Sequence, residues 1–264
     1  MYKIWNFFLR IVESHPFLWK VANMLVMRME FLMPHDKSYL AIKHFIFKKK
    51  GLFLDVGANN GISILSFRSQ CKFYNVVSLE PNLFLENSLR KIAKKDKLVE
   101  IKMVGVSDKK GSKIFYCPIY KNIVLHTATS GIKSQVYKTM RNFYSKSVLN
   151  NIKIKSFVSK IVTIDSMKIY PDIIKIDAEG MDLKVLKGAT QTIIKSRPFI
   201  IFESEWSNFF QFKKFFYNLN YRLYSYSINE DKFYKIGVLN KSFVKKKERN
   251  CFAVPIEKND LIPT

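Results

Sequence analysis

The sequence predicts an α/β protein: a mostly parallel, seven-stranded sheet covered by helices on both faces and finished by an antiparallel hairpin. Three observations predict it. Seven short runs, near 51–56, 74–80, 98–106, 171–177, 198–204, 221–227 and 250–255, carry strand signals. Helical stretches lie near 61–70, 83–95, 182–195 and 207–219, and strands alternating with helices of that length make a parallel sheet. The last two strand runs, Tyr221–Ser227 and Cys251–Pro255, have no helix between them, so the final strand should return antiparallel. At 264 residues and 48% hydrophobic content, one domain with an ample core is sufficient.

Residues 1–48 read as an N-terminal helical extension. Ile4, Phe7, Phe8 and Ile11, then Phe17, Leu18, Val21 and Leu25, recur at helical spacing, with Pro16 and Pro34 as breaks. Lys3, Arg10, Glu13, Lys20, Arg28 and Glu30 interrupt every apolar run short of the ~20 residues a membrane span needs. No sustained apolar stretch or small-residue cleavage site marks a signal peptide. Two readings stay open: helices that pad the core or a dimer contact, or a helix on a lipid surface. Residues 49–258 form the main domain. Cys71, Cys117 and Cys251 are odd in number and widely spaced, which argues against disulfides and zinc and for a reducing cytoplasm.

The first strand runs into Gly51-Leu-Phe-Leu-Asp-Val-Gly-Ala-Asn-Asn-Gly61, an apolar strand ending in an acid and a small-residue turn where a helix begins. Gly57 and Gly61 permit backbone angles other residues avoid, and the helix start offers unpaired donors to a ligand. The second strand ends in Glu80, 25 residues after Asp55. An acid about 20 residues past such a turn accepts hydrogen bonds from ribose hydroxyls; the alternative is a solvated acid at a helix start before Pro81. A dinucleotide site wants GxGxxG, whereas here an acid stands two residues before the first glycine. A carboxylate there repels a pyrophosphate and suits the amino group and sulfonium of S-adenosylmethionine.

In order, FLDVGANNG, SLEPN (78–82), GVSDKKG (105–111), VTIDSM (162–167), IIKIDAEGMDLKVLKGA (173–189) and RPFIIFESE (197–205) resemble the motifs of FkbM-type S-adenosylmethionine-dependent methyltransferases. The likeness spans roughly residues 50 to 255. It implies a Rossmann-like class I methyltransferase fold that methylates a hydroxyl oxygen, often on a sugar or a natural product. It also implies that Asp55, Gly57, Asn59, Gly61, Glu80, Pro81 and Asp177 line the cofactor, with Asn59 replacing the usual second glycine. Ser107 or Asp108 then meets the adenine amine, unless the run is only a tight turn before Gly111.

Methyl transfer to a hydroxyl needs in-line placement and removal of a proton. Lys175, Asp177 and Glu179 share strand parity, so they project to one side at the strand's carboxyl end. Asp177 is the first candidate to touch the methionine part or the acceptor and Glu179 the second. In a structural reading, Lys175 neutralises one of them and Glu179, with Asp182, caps the next helix. Glu203 ends another strand at the same edge. Asp55, Asp177, Glu179 and Glu203 could together hold magnesium or calcium, but the motifs carry no dependable metal signature and the expectation is no metal. His126, in the polar stretch Leu125–Gly131, is a third candidate base; His15, His35 and His44 lie in the N-terminal segment, less well placed.

Charge separates the possible acceptors. Lys and Arg number 45 against 21 Asp and Glu, for a net +24. From Lys109 to Lys160 there are eleven Lys or Arg and no acid, which marks 109–160 as a basic acceptor-side insertion; Lys245–Arg249 is a second basic run. Nucleic acid, an anionic membrane, an anionic small acceptor or a general compositional bias each account for such a surface. The preferred acceptor is a hydroxyl on a carbohydrate, anionic or lipid-linked, met at the inner face of the membrane. An RNA methyltransferase is the alternative enzyme, although no RNA-binding module accompanies the domain. A catalytically inactive cofactor-binding scaffold is the non-enzyme alternative.

Overall fold

The computed structural model describes residues 16–30, 34, 36–178, 180–204, 208–237 and 250–264. Residues 1–15, His35, Glu179 and the basic run 245–249 lie outside the described residues, as does His15 among the first of these. In chain order the elements are α1 (Pro16–Glu30), β1 (Leu52–Val56), α2 (Ile62–Gln70), β2 (Asn75–Leu79), α3 (Glu86–Lys95), β3 (Val99–Lys102), β4 (Gly105–Val106), β5 (Gly111–Tyr120) and β6 (Ile123–Val124). There follow α4 (Lys133–Phe143), α5 (Lys146–Leu149), β7 (Ile152–Val162), β8 (Ile173–Ile176), α6 (Asp182–Lys187), α7 (Thr190–Ser196), β9 (Phe199–Glu203), α8 (Phe209–Asn218), β10 (Tyr221–Ser227), β11 (Lys232–Lys235) and β12 (Asn250–Pro255). A 3-10 segment, Lys37–Phe45, precedes β1 and is capped by Asp36, which accepts from Ser38 N at 2.9 Å.

Among the described residues the main sheet has eight strands, not the expected seven, in the order β11-β10-β12-β9-β8-β1-β2-β3. β3, β2, β1, β8 and β9 are mutually parallel, while β12 runs antiparallel to both β9 and β10. The extra strand is β11, folded back on β10 by a turn in which Asp231 takes φ 52°. Its sequence, Lys-Phe-Tyr-Lys, buries one side chain, Phe233, so it carries too little alternation to announce a strand.

The expected third strand, 98–106, is two strands. β3 stops at Lys102, where Val104 N turns back onto Lys102 O at 2.9 Å, and β4 leaves for a second sheet ordered β4-β7-β5-β6. That sheet is mostly the antiparallel pair β5 and β7, in register from Gly111 opposite Ile161 to Tyr120 opposite Ile152.

Alternation places the core on both faces of the main sheet. Phe53, Ile173, Phe199 and Ile201 face the Lys37–Phe45 segment, α2 and α3, where Phe53 stacks on Phe67 (4.0 Å) and Phe45 on Phe199 (4.4 Å). Leu54, Val56, Ile174, Ile176, Ile200 and Phe202 face α6, α7 and α8 through Val185, Leu186, Ile193, Phe212 and Phe216. Central strands buried on both faces are what a parallel sheet requires, and each such side chain contributes ~1.5–3 kcal/mol. A smaller cluster of Tyr120, Ile123, Leu125, Val136, Met140 and Val148 joins the second sheet to α4 and α5.

The helix expected over 182–195 is broken into α6 and α7 for a reason found in its partner. A Cβ on Gly188 would stand 2.1 Å from Ser107 O, so the LKGA glycine lets the GVSD turn press against it. Asp165 of the VTIDSM run closes the joint: its N donates to Gly188 O at 2.9 Å, and its carboxylate accepts from Gln191 N, Thr192 N and Thr192 Oγ1 at 3.1, 2.7 and 2.8 Å. Asp165→Ala removes this remote N-terminal cap of α7 and should cost ~1–2 kcal/mol in chemical denaturation.

Candidate active site

Chain order reverses about β1: the chain leaves it towards β2 on one side and returns through β8 on the other, which opens a crevice at the carboxyl ends of these strands. The turn after β1 is held by its neighbours. Gly57 N and Ala58 N both donate to Leu79 O, at 2.9 and 3.2 Å, and Asp177 N donates to Val56 O at 3.0 Å. Gly57 has φ +83°, and a Cβ there would lie 1.9 Å from Asp177 O, so β1 and β8 close upon a residue that must lack a side chain. Asn59 also takes positive φ, 52°, a conformation asparagine tolerates. Gly61 N bonds Ala58 O at 2.8 Å and leads into α2.

Glu80 clasps this turn. Its Oε2 accepts from Asn59 N and its Oε1 from Asn82 N, both at 2.8 Å. Burial to 7% exposure pushes the carboxyl above its usual range, against the pull of those two amides.

Asp55, expected to reach into the crevice, is instead walled in at 0% exposure. Its Oδ2 accepts from Ser63 Oγ at 2.6 Å and Ser78 Oγ at 3.1 Å. Its Oδ1 has no hydrogen-bond partner and faces Lys175 Nζ at 3.6 Å. Register explains the pairing: Asp55 and Lys175 stand side by side on β1 and β8. Lys175 Nζ also donates to Gly57 O at 3.1 Å and lies 3.3 Å from Asp177 Oδ2. Burial opposes the charge on Lys175, but the groups around it outweigh that and hold its pKa above the usual lysine value. Of those groups, the Tyr39 phenol is itself pushed far up by burial and so is neutral, which leaves Asp55 and Asp177 as the effective partners.

The lysine at the centre of the crevice is therefore a buried ammonium shared by one sealed carboxylate and one open one, because the Asp177 side chain is 45% exposed. Among the described residues no three His, Cys, Asp or Glu side chains are grouped as a metal would require.

A family model described as the methyltransferase FkbM domain matches residues 55–226, from the sealed Asp55 to β10. The chain belongs to the FkbM methyltransferase family. No curated protein matches it significantly. Among solved structures, the crystal structure of methyltransferase FkbM from Methylobacillus flagellatus KT is 12% identical, with TM-score 0.49 over 79% of this chain and 45% of that chain. This FkbM chain thus spans less than half the length of that protein. The precorrin-6y C5,15-methyltransferase from Geobacter metallireducens GS-15 is 10% identical, with TM-score 0.39 over 81% of this chain and 83% of that one.

The FkbM crevice gathers Asp55, Gly57, Asn59, Glu80 and Asp177 around one turn and one lysine, with Gly61 at the start of α2. Pro81 follows Glu80 and stands against Gly105, whose added Cβ would lie 3.4 Å from Pro81 Cβ. Ser107 and Asp108 pair with each other beside the second sheet: Ser107 N donates to Val162 O, its Oγ to Asp108 Oδ1 (both 3.0 Å), and its carbonyl abuts Gly188. His126 is linked to the crevice through its own loop, where Thr129 Oγ1 accepts from Asn82 Nδ2 at 3.1 Å. Burial lowers the His126 imidazole to about 4, so it is neutral, and its Nδ1 has no hydrogen-bond partner. His44 bonds Asp231 at 2.8 Å, far along the chain from the crevice strands.

Two residues of the site escaped sequence reasoning. Asn82 caps the Leu83–Leu85 turn by accepting from Phe84 N (3.1 Å) and joins the two sheets through Thr129; the signal was its place directly after Glu80-Pro81. Asp182, read only as a helix cap, is 4% exposed with an unpartnered Oδ1. Burial raises its carboxyl to about 6, and Asp177 and Glu203 push it the same way.

Proposed function

We propose that this FkbM domain transfers the methyl group of S-adenosylmethionine to a hydroxyl oxygen of an anionic carbohydrate. The observation that carries the reading is the charge about the turn: among the described residues Lys175 is the one ammonium there and pairs with the sealed Asp55 and the open Asp177, while Glu80 holds the turn through Asn59 N, so three carboxyls stand against one cation, a balance suited to a cationic donor and hostile to a pyrophosphate. The donor set fits. Each Glu80 oxygen uses one lone pair on an amide and keeps another for ribose hydroxyls; Asp177 is open to the amino group; Gly57, Asn59, Gly61 and Pro81 shape the wall; Ser107 or Asp108 serves the adenine amine. The cofactor, once bound, supplies a methyl group already activated by positive sulfur, so the protein's own task is placement and proton removal.

Four groups compete for that proton. Asp177 is exposed beside Lys175, and Glu179 follows it in the same motif. Asp182, at about 6, is a better proton acceptor near neutrality than an ordinary carboxylate and than His126 at about 4. If Asp182 is the base, kcat rises with pH through about 6, and Asp182→Asn removes that limb. Because its folded pKa is raised, ionised Asp182 also costs stability. Its contribution is present below the unfolded carboxylate range near 4 and is lost as pH rises through about 6.

On the acceptor side, Phe115 and Phe157 stand opposite each other on β5 and β7 and stack nearly parallel (15°, 5.6 Å), with Phe84 set upright against Phe157 (90°, 5.5 Å). Lys113 and Lys155 lie over the Phe115 and Phe84 rings. This cluster of rings suits the C–H face of a sugar, and the acid-free 109–160 segment suits its negative charge. The same rings and lysines are what a single-stranded RNA acceptor would use. The three described cysteines are free and buried, which supports a reducing, cytoplasmic setting. Mass spectrometry of glycans, lipids and RNA from cells with and without the protein tests the reading. A methyl increment lost from a sugar hydroxyl supports it; loss from RNA alone moves the acceptor to the second reading.

A further inference from the structure

We propose that α1 docks the protein on an anionic phospholipid surface through its outward face. Phe17, Leu18, Met24, Leu25 and Met29 are exposed, Phe17 by 75% and Met29 by 66%. At 100° per residue these five side chains fall within an arc of roughly 140°. Exposed Arg28 lies in the same arc.

The other side of the helix is fastened. Glu30, its only acid, is 1% exposed and accepts a hydrogen bond from Ser66 Oγ of α2. The face turned outward is therefore apolar and cationic, with no carboxylate to repel phosphate headgroups. A 15-residue helix with one apolar face lies in the interfacial plane of a bilayer; no described helix is long and apolar enough to cross one. The chain's net charge of +24 complements an anionic leaflet and acts over the same short range. A contiguous apolar patch of this kind is seldom left in water without an occupant. The inference stands on α1 alone and holds or fails independently of the methyl-transfer reading, although a surface anchor would bring a lipid-linked sugar within reach of the crevice.

The test is flotation of the full chain with phosphatidylcholine vesicles, with and without phosphatidylglycerol, at low and high salt. The unaltered protein should float with the anionic vesicles at low salt and lose most of that binding at high salt. Combined Met24→Glu, Leu25→Glu and Met29→Glu substitutions should lower the partition coefficient by at least about tenfold, with an unchanged thermal melt because these side chains are exposed. Should the triple variant melt early, Phe17→Ser with Met24→Ser gives the same comparison without added charge. Equal flotation of variant and unaltered protein, or none on either vesicle, overturns the proposal. A sedimenting dimer that the triple variant converts to monomer, with no vesicle binding, assigns the face to a second copy and overturns it too.

Discussion

Gly57→Ala is expected to destabilise the protein by more than about 3 kcal/mol and to abolish cofactor binding. Two costs combine. An L residue at φ +83° costs ~1–2 kcal/mol, as any side chain does in the left-handed region. The second cost is collision: the new Cβ would lie 1.9 Å from Asp177 O, a backbone atom of the neighbouring strand that cannot swing aside. Relief requires β1 and β8 to part at the hydrogen bond from Asp177 N to Val56 O, directly beneath Lys175 and Asp177. Gly61→Ala is the control. It has the same positive φ, +91°, but its Cβ would meet Ile92 Cδ1, the tip of a flexible side chain, so the strain alone should remain, ~1–2 kcal/mol. Urea unfolding of both variants checks the contrast, and equal losses would mean that the approach of Asp177 to the turn is wrong.

Lys175→Met is expected to cost about 3–5 kcal/mol, the usual penalty for removing one partner of a buried ion pair. The carboxylate left behind, Asp55, has no exposure and keeps only the two serine hydroxyls on Oδ2, while Oδ1 loses its single neighbouring charge. The loss should be non-additive. Asp55→Asn in the Lys175→Met background removes the stranded charge and should restore a measurable part of the stability, whereas independent effects would simply sum. A double-mutant cycle by urea unfolding reads the coupling directly.

These two sites show what was legible in the chain and what was not. The glycine turn, the acids at the ends of β1, β2 and β8, and the strand–helix alternation are local patterns, and period and punctuation reveal them. The partnership of Asp55 with Lys175 is a matter of register between strands 120 residues apart, which no local pattern carries. The same limit hid the second sheet. β7 reads Ile-Lys-Ile-Lys, a half-exposed alternation in which Ile152 and Ile154 pack towards Tyr120 while Lys153 and Lys155 face out, yet its charge marks it first as a solvated insertion. VTIDSM and LKGA are visible as motifs, but that Asp165 and Gly188 form a packing joint with Ser107 is a tertiary fact. Asp182 was legible as a helix-start acid; its burial, and hence its raised pKa, was not.

Titration calorimetry with S-adenosylhomocysteine, alongside NAD, bears most directly on the notch between β1, β2 and β8. Saturable one-to-one binding of S-adenosylhomocysteine is expected, weakened by Glu80→Gln in a variant that still unfolds cooperatively, with no heat from NAD. Binding of NAD, or of neither compound by folded protein, would contradict it.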